Sequence, residues 1–271
     1  MINTENGDQI YDRATDALPG KFNVFSRRKA NEEATELFTK AGHKYNLEMN
    51  HDKAATAYLK AAELDEVDRL YRWIDAAKMY KKGKQPDKQT EILNKIICYY
   101  LDEGRFNKAA DYYIILAEIA TDSDQEELYY KKALELFDSK SGKYQCLGKL
   151  SSLAVGKSEW DKVVVYQTEM ADHCENNSLL RFNTRKHVLA ISLALLCQGD
   201  TQLQLDRYLI MANSAEVKLI ERILEDSKAC DMEAFQRHIT EWDLIHPMET
   251  DTITLLLALK KRIESGEVNF L

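Results

Sequence analysis

The side chains that most often carry out enzyme chemistry are scattered along this sequence rather than grouped. His43 and His51 lie eight residues apart, and His238 and His246 flank Trp242, but no cysteine or further histidine stands at metal-ligand spacing beside either pair. No dinucleotide-binding, phosphate-loop, zinc-protease or serine-hydrolase motif occurs. The sequence therefore predicts no catalytic residue, no metal and no cofactor, and it indicates a binding protein rather than an enzyme.

The carboxylates and cysteines are better explained by roles in folding than by roles in catalysis or metal binding. Acidic pairs stand where helices are predicted to begin or on solvated faces, and an acidic residue stabilises the unpaired N–H groups of a first helical turn. The five cysteines lie within or beside apolar stretches and form no CxxC pair, which predicts buried free thiols in a reducing compartment. These cysteines are Cys98, Cys146, Cys174, Cys197 and Cys230.

The elements that position these side chains are predicted to be helices. Only 10 glycines and 3 prolines occur in 271 residues, so few turns can interrupt regular structure. Apolar residues recur at three- and four-residue intervals from Asn31 onward, which places them on one helical face. In the first such segment they are Ala34, Leu37, Phe38, Ala41 and Tyr45.

A repeated pattern of small residues and aromatics indicates stacked helical hairpins. Alanines let neighbouring helices approach closely, and an aromatic about one turn later fills the remaining space. The pattern recurs with Ala54, Tyr58, Ala61 and Ala62, and again in the segment 106–120. Helix-breaking or polar junctions separate the segments: Asn50 to Asp52, Gly83 to Pro86, Gly104, Asp122 to Asp124, Gly142, Gly156 to Ser158, Asn176-Asn177 and Gly199-Asp200.

The predicted fold is all-α: a tetratricopeptide-like right-handed solenoid of antiparallel helix pairs over residues 1–212, followed by a C-terminal helical bundle over residues 213–271. No hairpin buries its apolar face alone, and a terminal unit must differ from the interior ones. The alanine–aromatic pattern stops before the last two helices, between which Pro247 breaks the chain.

Charge and hydropathy limit the classes of partner. The net charge is −8 without a long basic stripe, so no nucleic-acid partner is predicted. The apolar run Val188 to Cys197 falls short of the roughly 20 residues that span a bilayer. The first residues, MINTENGDQ, lack the basic and apolar regions of a signal peptide. A cytoplasmic protein with only peripheral membrane contact is expected.

One segment does not suit a plain scaffold. Between an N-terminal helix and the first hairpin, about residues 19–29, Phe22 and Phe25 are followed by Arg27, Arg28 and Lys29. Large apolar side chains beside cations suit insertion among anionic lipid headgroups. The alternative is that both phenylalanines fold back onto the first hairpin, and the residue pattern alone leaves the two open.

Several stretches, in order along essentially the whole chain, resemble the soluble NSF attachment proteins. The most specific is DEGRFNKAADYYIILAEIA at 102–120, which is similar to the family's D-x-G-R-F-x-x-A-A signature. The stretches AATAYLKAAEL, NNSLLRFNTRKHVLAISLALLC and TLLLALKKRIESGEVNFL resemble the family at corresponding places. The resemblance implies a twisted array of paired helices with a concave, partly basic face, and an N-terminal membrane-contact loop that matches Phe22 and Phe25.

The resemblance also implies partners, namely an assembled SNARE complex and the AAA+ ATPase NSF. In this family lysines and arginines hold the acidic SNARE helices, with the protein a monomer in solution and several copies on one bundle. The matching or neighbouring basic residues here are Arg105, Lys149, Arg181, Arg185 and Lys186. Acidic residues and a near-terminal leucine of the family engage the ATPase, which corresponds to Glu225, Glu267, Phe270 and the terminal Leu271.

The sequence departs from the family pattern at a few charged positions. Lys228 and Ala229 fill two acidic places near Glu225, and Asp111 and Gln145 replace family lysines. These departures bear on ATPase stimulation and SNARE affinity more than on the fold. Two alternatives therefore stand beside the adaptor hypothesis: a mimic that binds without activating the ATPase, and a tetratricopeptide-like scaffold that receives another peptide or helix.

Overall fold

A computed structural model describes residues 5–18, 27–203 and 214–267 of the chain. Their regular structure consists of thirteen α-helices and one 3₁₀ turn, and no strand occurs in these ranges, which confirms the all-α prediction. None of the helices in these ranges combines the length and the apolar character needed to cross a membrane. The helices are α1 (Gly7–Asp16), α2 (Arg27–Leu47), α3 (His51–Leu64), α4 (Arg69–Lys82), α5 (Pro86–Asp102), α6 (Phe106–Ile119), α7 (Ser123–Leu136), α8 (Lys140–Gly156), α9 (Trp160–Glu175), α10 (Thr184–Gln198), α11 (Ala215–Ala229), α12 (Met232–Ile245) and α13 (Thr250–Glu264), with the 3₁₀ turn at Arg181–Asn183.

The chain divides into two compact units, Met1–Thr121 and Asp122–Leu271. In unit 1 each helix from α1 to α6 packs against the next one, and the short connections between α2 and α6 make those neighbours antiparallel. Stacked helical hairpins are therefore present. The handedness, the tetratricopeptide-like repeat and the division into residues 1–212 and 213–271 stay predictions.

The core of unit 1 has the composition that the sequence pattern predicts. On α2 the five residues assigned to one face are all buried, and on α3 Ala54, Tyr58, Ala61 and Ala62 are buried as well. Gly42 on α2 lies against the ring of Tyr58, where a Cβ atom would stand only 2.7 Å from Cε1. Small residues thus let the two helices approach and leave a space that the tyrosine ring fills.

Unit 2 is built around α10. This helix is buried along most of its length and packs against α9, α11 and α13. Leu193 and Leu196 share one cluster of buried side chains with Phe235 of α12 and with Leu255 and Leu259 of α13. The longest apolar run of the sequence is therefore a core helix of this unit.

Two sequence predictions need correction. Cys98 and Cys230 are exposed, whereas the other three cysteines are buried as predicted. Cys98 is on the solvent side of α5, and Cys230 follows the last residue of α11 in the αL region. Gly142 is not at a junction but inside the first turn of α8, where the absence of a Cβ atom makes room for the ring of Phe137.

Seven helices end in the same way, with one residue in the left-handed region of backbone space. In each case the N–H of the following residue bonds to the carbonyl five positions earlier, which is the Schellman arrangement. Glycine suits this position because other residues bring a Cβ atom into a crowded place. The seven residues are Met49, Lys84, Gly104, Ser158, Gly199, Cys230 and Gly266.

Replacing Ser158 by glycine is expected to stabilise the protein. Ser158 has φ of 58°, and the variant removes the cost of holding a side chain there, so the free energy of unfolding should rise by about 0.5 to 1 kcal/mol. Urea unfolding measures this change. The control Ser158→Ala keeps the Cβ atom and should give no gain, and an equal gain in both variants would contradict the explanation.

Candidate functional site

Two of the predicted SNARE-binding lysines border one groove in unit 2. The groove has a volume of about 320 Å³ and is bounded by α8, α9, α10 and the beginning of α13. Lys149 on α8 is exposed, whereas Nζ of Lys186 on α10 lies 3.0 Å from Oε1 of Glu249. Gln145, for which the resemblance implies a lysine in the family, lines the same groove and adds no charge to it.

A buried polar network supports the wall of this groove. Oη of Tyr144 lies 2.8 Å from Nε2 of His187, and Oε1 of Gln167 lies 2.7 Å from Nδ1 of the same ring. The Gln167 amide in turn donates to Oγ of Ser151 at 2.8 Å. Burial, reinforced by the nearby Lys186 cation, lowers the pKa of His187 to about 4. The neutral ring therefore connects α8, α9 and α10.

Acidification is expected to destabilise unit 2 through His187. The imidazole takes up a proton near pH 6.5 when unfolded but only near pH 4 when folded, so the unfolded state binds more protons between these values. Its contribution is complete above pH ~6.5 and declines by up to about 3 kcal/mol as the pH falls to ~4. Urea unfolding at several pH values should show a shallower slope for His187→Gln. An unchanged slope in His187→Gln would contradict the assignment.

The connection between α9 and α10 presents cations together with apolar side chains. Nη2 of Arg181 lies 2.8 Å from Oε1 of Glu175, and the guanidinium carbon of Arg185 lies 5.7 Å from the centre of the Phe182 ring. Leu179 and Phe182 are 90% and 75% exposed. Large apolar side chains on the surface beside cations are typical of a protein contact site.

Leu179 and Phe182 were missed by the sequence reasoning. The available signal was a pair of large apolar residues beside the polar junction at Asn176-Asn177, the same kind of signal that singles out Phe22 and Phe25.

Arg105 lies in unit 1, at the beginning of α6. Its guanidinium carbon is 5.2 Å from the centre of the Tyr100 ring, and Tyr100 stacks on Tyr112 with ring centres 5.6 Å apart. Arg105 is exposed, so the aromatic pair orients its charge toward solvent. Nearby, Asp111 lies 3.3 Å from Nζ of Lys108. Asp111 thus offsets a neighbouring cation.

The predicted membrane segment falls partly within the described residues. Phe22 and Phe25 lie outside them, whereas Arg27, Arg28 and Lys29 form the first turn of α2 rather than a loop. That turn contains no acidic residue, although acidic residues are favourable at a helix N-terminus and cations are not. Arg28 offsets part of this cost with an ion pair of 3.0 Å to Glu32.

Of the residues predicted to meet the ATPase, the structure describes Glu225 and Glu267, and both are exposed. Glu225 is exposed on α11, as are Lys228 and Ala229 at its end. Oε2 of Glu267 lies 3.4 Å from Nη1 of Arg262. Phe270 and Leu271 lie outside the described residues.

Exposed apolar side chains accompany these charges on the last two helices. Leu244 and Ile245 at the end of α12 are 82% and 74% exposed, and Leu257 on α13 is 62% exposed. Their exposure was not predicted, because α12 and α13 have the periodicity of ordinary core helices.

His43, His238 and His246 have structural neighbours, whereas Nδ1 of His51 is buried without a hydrogen-bond partner among the described residues. His43 Nδ1 is 3.0 Å from the Tyr58 hydroxyl, His238 Nδ1 is 2.7 Å from Oδ2 of Asp226, and the His246 ring lies on Trp242. In the ranges that the structure describes, no group of three or more histidine, cysteine or acidic residues has a geometry that would hold a metal.

Comparison with known proteins assigns the chain to a family. Residues 5–264 match the model of the soluble NSF attachment proteins, SNAP. The chain belongs to this family. It is 27% identical to bovine beta-soluble NSF attachment protein over 86% of this chain and 84% of the relative. It is also similar to the grapevine alpha-soluble NSF attachment protein, at 25% identity over 98% and 97% of the two chains, and to the human alpha protein, at 24% identity over 87% and 86%.

For a SNAP-family chain, the geometry brings together some of the predicted partner-binding residues. Lys149 and Lys186 border the same groove. Arg181 lies in the α9–α10 connection with Leu179 and Phe182, and Arg185 follows in the first turn of α10. Arg105 lies in the other compact unit. The roles of all these residues stay predictions.

Proposed function

We propose that this SNAP-family chain is an adaptor that binds assembled SNARE complexes and recruits the AAA+ ATPase NSF for their disassembly. The observation that carries the proposal is the family match, which spans residues 5–264. A match along almost the entire chain includes both compact units, as an adaptor with two different partners requires. The exposed cations and apolar side chains described above supply the contact chemistry.

In this proposal SNARE helices are held by charge and by apolar contact. Lys149, Arg181 and Arg185 attract the acidic surface of the bundle, which mainly sets its orientation and its association rate. Leu179 and Phe182 supply apolar surface that is nearly fully exposed in the free protein. Burying such side chains contributes about 1.5 to 3 kcal/mol each, which the charges alone do not provide. Arg105 and Lys186 extend the basic contact.

The proposed membrane contact uses Phe22 and Phe25 with Arg27 and Arg28, and it makes the protein cytoplasmic and peripherally membrane-associated. The support is the first turn of α2, where three cations stand without an acidic residue. This arrangement is unfavourable for the helix and favourable beside anionic headgroups. Attachment through a few side chains is reversible, as an adaptor that is used repeatedly requires.

The proposed ATPase contact combines Glu225 and Glu267 with Phe270 and Leu271 at the chain end. The exposed Leu244 and Ile245 enlarge the apolar part of this surface. The chain itself performs no chemistry in this scheme. A monomer in solution, it acts in several copies around one bundle, so that avidity holds the assembly while the ATPase applies force.

A second candidate is an attachment protein that binds the bundle without activating the ATPase. Lys228 and Ala229 favour it, because both are exposed near Glu225 where the family carries acidic residues. A tetratricopeptide-like scaffold for an unrelated peptide is the third. The exposed cations of unit 2 distinguish this last class, since a scaffold for an uncharged peptide has no need of them.

Retention of NSF on an immobilised SNARE bundle tests the proposal. With a non-hydrolysed ATP analogue, the ATPase should stay on the beads only when this protein is present. Glu225→Lys with Glu267→Lys should keep SNARE binding and lose the ATPase. A parent protein that binds the bundle but retains no ATPase would favour the second candidate, and failure to bind the bundle would favour the scaffold.

A further inference from the structure

Two turns of unit 1 lie side by side at one end of its helices. They are the α2–α3 and α4–α5 connections, and Nζ of Lys82 donates to Oδ1 of Asn46 across them at 3.1 Å. A Cβ atom on Gly83 would stand 3.4 Å from Cβ of His51, so the backbone of Gly83 also lies close to the beginning of α3. Together they form a surface that we call the turn edge, which consists of Leu47, Met49, Lys81, Lys82 and Lys84.

The turn edge exposes apolar side chains that the fold does not use. Leu47 is 77% exposed and Met49 is 74% exposed, although both are large. Leu47 is the last residue of α2 and Met49 lies two residues later in the α2–α3 connection, so the two form a pair of neighbours in the chain. Such a pair is suited to shallow insertion into another apolar phase.

The lysines of the turn edge lack acidic partners. Within the part of the chain that the structure describes, Lys81, Lys82 and Lys84 form no ion pair. The acidic groups nearby are engaged elsewhere or serve the helix: Asp8 binds Lys53, Asp52 binds Lys88, Glu48 accepts from the Gly7 N–H, and Asp87 stands in the first turn of α5. Three cations without an ion-pair partner in the described residues thus lie at the turn that adjoins the two exposed apolar side chains.

The backbone of both turns is suited to glycine but carries longer residues. Met49 and Lys84 have φ of 61° and 54°, the left-handed conformation that closes α2 and α4. A non-glycine residue in this conformation lowers the stability of the fold, and an exposed side chain does not offset the loss through packing. The methionine and the lysine therefore have no folding role that glycine would not perform better.

We propose that the turn edge is a second membrane-contact site, at which Leu47 and Met49 insert among the headgroups of an anionic bilayer and the three lysines bind its phosphates. Exposed apolar side chains beside unpaired cations combine the two attractions that hold peripheral sites on anionic bilayers, burial of apolar surface and charge. The site is distinct from Phe22 and Phe25 and does not depend on SNARE binding. It uses residues from two hairpins, so it requires folded unit 1.

Sedimentation with phospholipid vesicles tests this assignment on the full chain. The double variant Met49→Gly with Lys84→Gly should unfold at a higher urea concentration than the parent, because both residues adopt a glycine conformation. It should nevertheless bind vesicles of mixed phosphatidylserine and phosphatidylcholine about tenfold more weakly, through loss of one apolar side chain and one cation. The parent should bind phosphatidylcholine alone much more weakly than the anionic mixture.

The matched control is Ser158→Gly with Cys230→Gly, which relieves the same strain in unit 2. It should gain stability in the same way and keep full vesicle binding. The comparison is repeated in a Phe22→Ser, Phe25→Ser background, where the turn edge would be the remaining contact. Unchanged vesicle binding by the Met49→Gly, Lys84→Gly variant in both backgrounds would overturn the proposal. SNARE binding, measured separately without lipid, keeps this outcome apart from any failure of the proposed function.

Discussion

Replacing Lys149 and Arg181 together by glutamate is expected to weaken binding to an assembled SNARE bundle by about a hundredfold at low salt. Lys149 forms no ion pair in the described ranges, and Arg181 is half-exposed despite its contact with Glu175. Both charges therefore act on an approaching partner. Each charge reversal replaces an attraction by a repulsion, and the expected loss of binding free energy is about 1.4 kcal/mol for each of the two substitutions.

The dependence of SNARE binding on ionic strength distinguishes the parent from the Lys149→Glu, Arg181→Glu variant more clearly than affinity at a single salt concentration. Parent binding should weaken steeply as ionic strength rises, whereas the double variant should respond much less, because its attractive charges are gone. Lys60→Glu with Lys95→Glu changes the net charge equally at two surface ion pairs and should leave binding within about threefold of the parent. Binding that does not depend on salt would remove the groove lysines and the α9–α10 connection from the proposed contact.

A large loss of stability is expected from adding one carbon atom to Gly42. In Gly42→Ala the new Cβ atom would stand 2.7 Å from Cε1 of Tyr58, a buried ring whose hydroxyl is held 3.0 Å from His43. The ring and α3 must shift, which is expected to cost about 2 to 3 kcal/mol even though alanine is the better helix former.

A second glycine provides a control, because its replacement by alanine is not expected to lower the free energy of unfolding. Gly156 at the end of α8 has no atom within 4 Å of its ideal Cβ position, so Gly156→Ala should leave the free energy of unfolding unchanged or raise it by up to about 1 kcal/mol. Urea unfolding of the two variants measures the difference. Equal effects of the two substitutions would show that helix propensity, rather than contact between α2 and α3, controls stability at these positions.

The parts of the fold that the sequence predicted are those with a local cause. The buried faces of α2 and α3 follow from residue spacing, and the Schellman turns at Gly104 and Gly199 follow from glycine itself. The same turn at Met49 and Cys230 has no such signal, because neither residue favours the left-handed conformation. Gly142 was wrongly assigned to a junction because the sequence does not distinguish a glycine that makes room for a neighbouring ring from a glycine that allows a turn.

The candidate site was less predictable because it depends on contacts that are distant in sequence. The ion pair of Lys186 joins residues 63 positions apart, and it alone distinguishes this lysine from the unpaired Lys149. Phe182 is exposed because its residue belongs to a 3₁₀ turn that precedes α10, which no periodicity reveals. Family resemblance supplied the basic residues, and only the three-dimensional arrangement added the apolar ones.

The most direct test of the adaptor function is ATP-dependent disassembly of a SNARE bundle by NSF in the presence of this protein. The bundle carries a fluorescence donor and acceptor on different SNARE proteins, and loss of energy transfer reports their separation. The adaptor function predicts rapid loss with ATP, and none with Lys149→Glu, Arg181→Glu or without hydrolysis. Stable binding to the bundle and to NSF without disassembly would contradict it and assign the chain to the non-activating class.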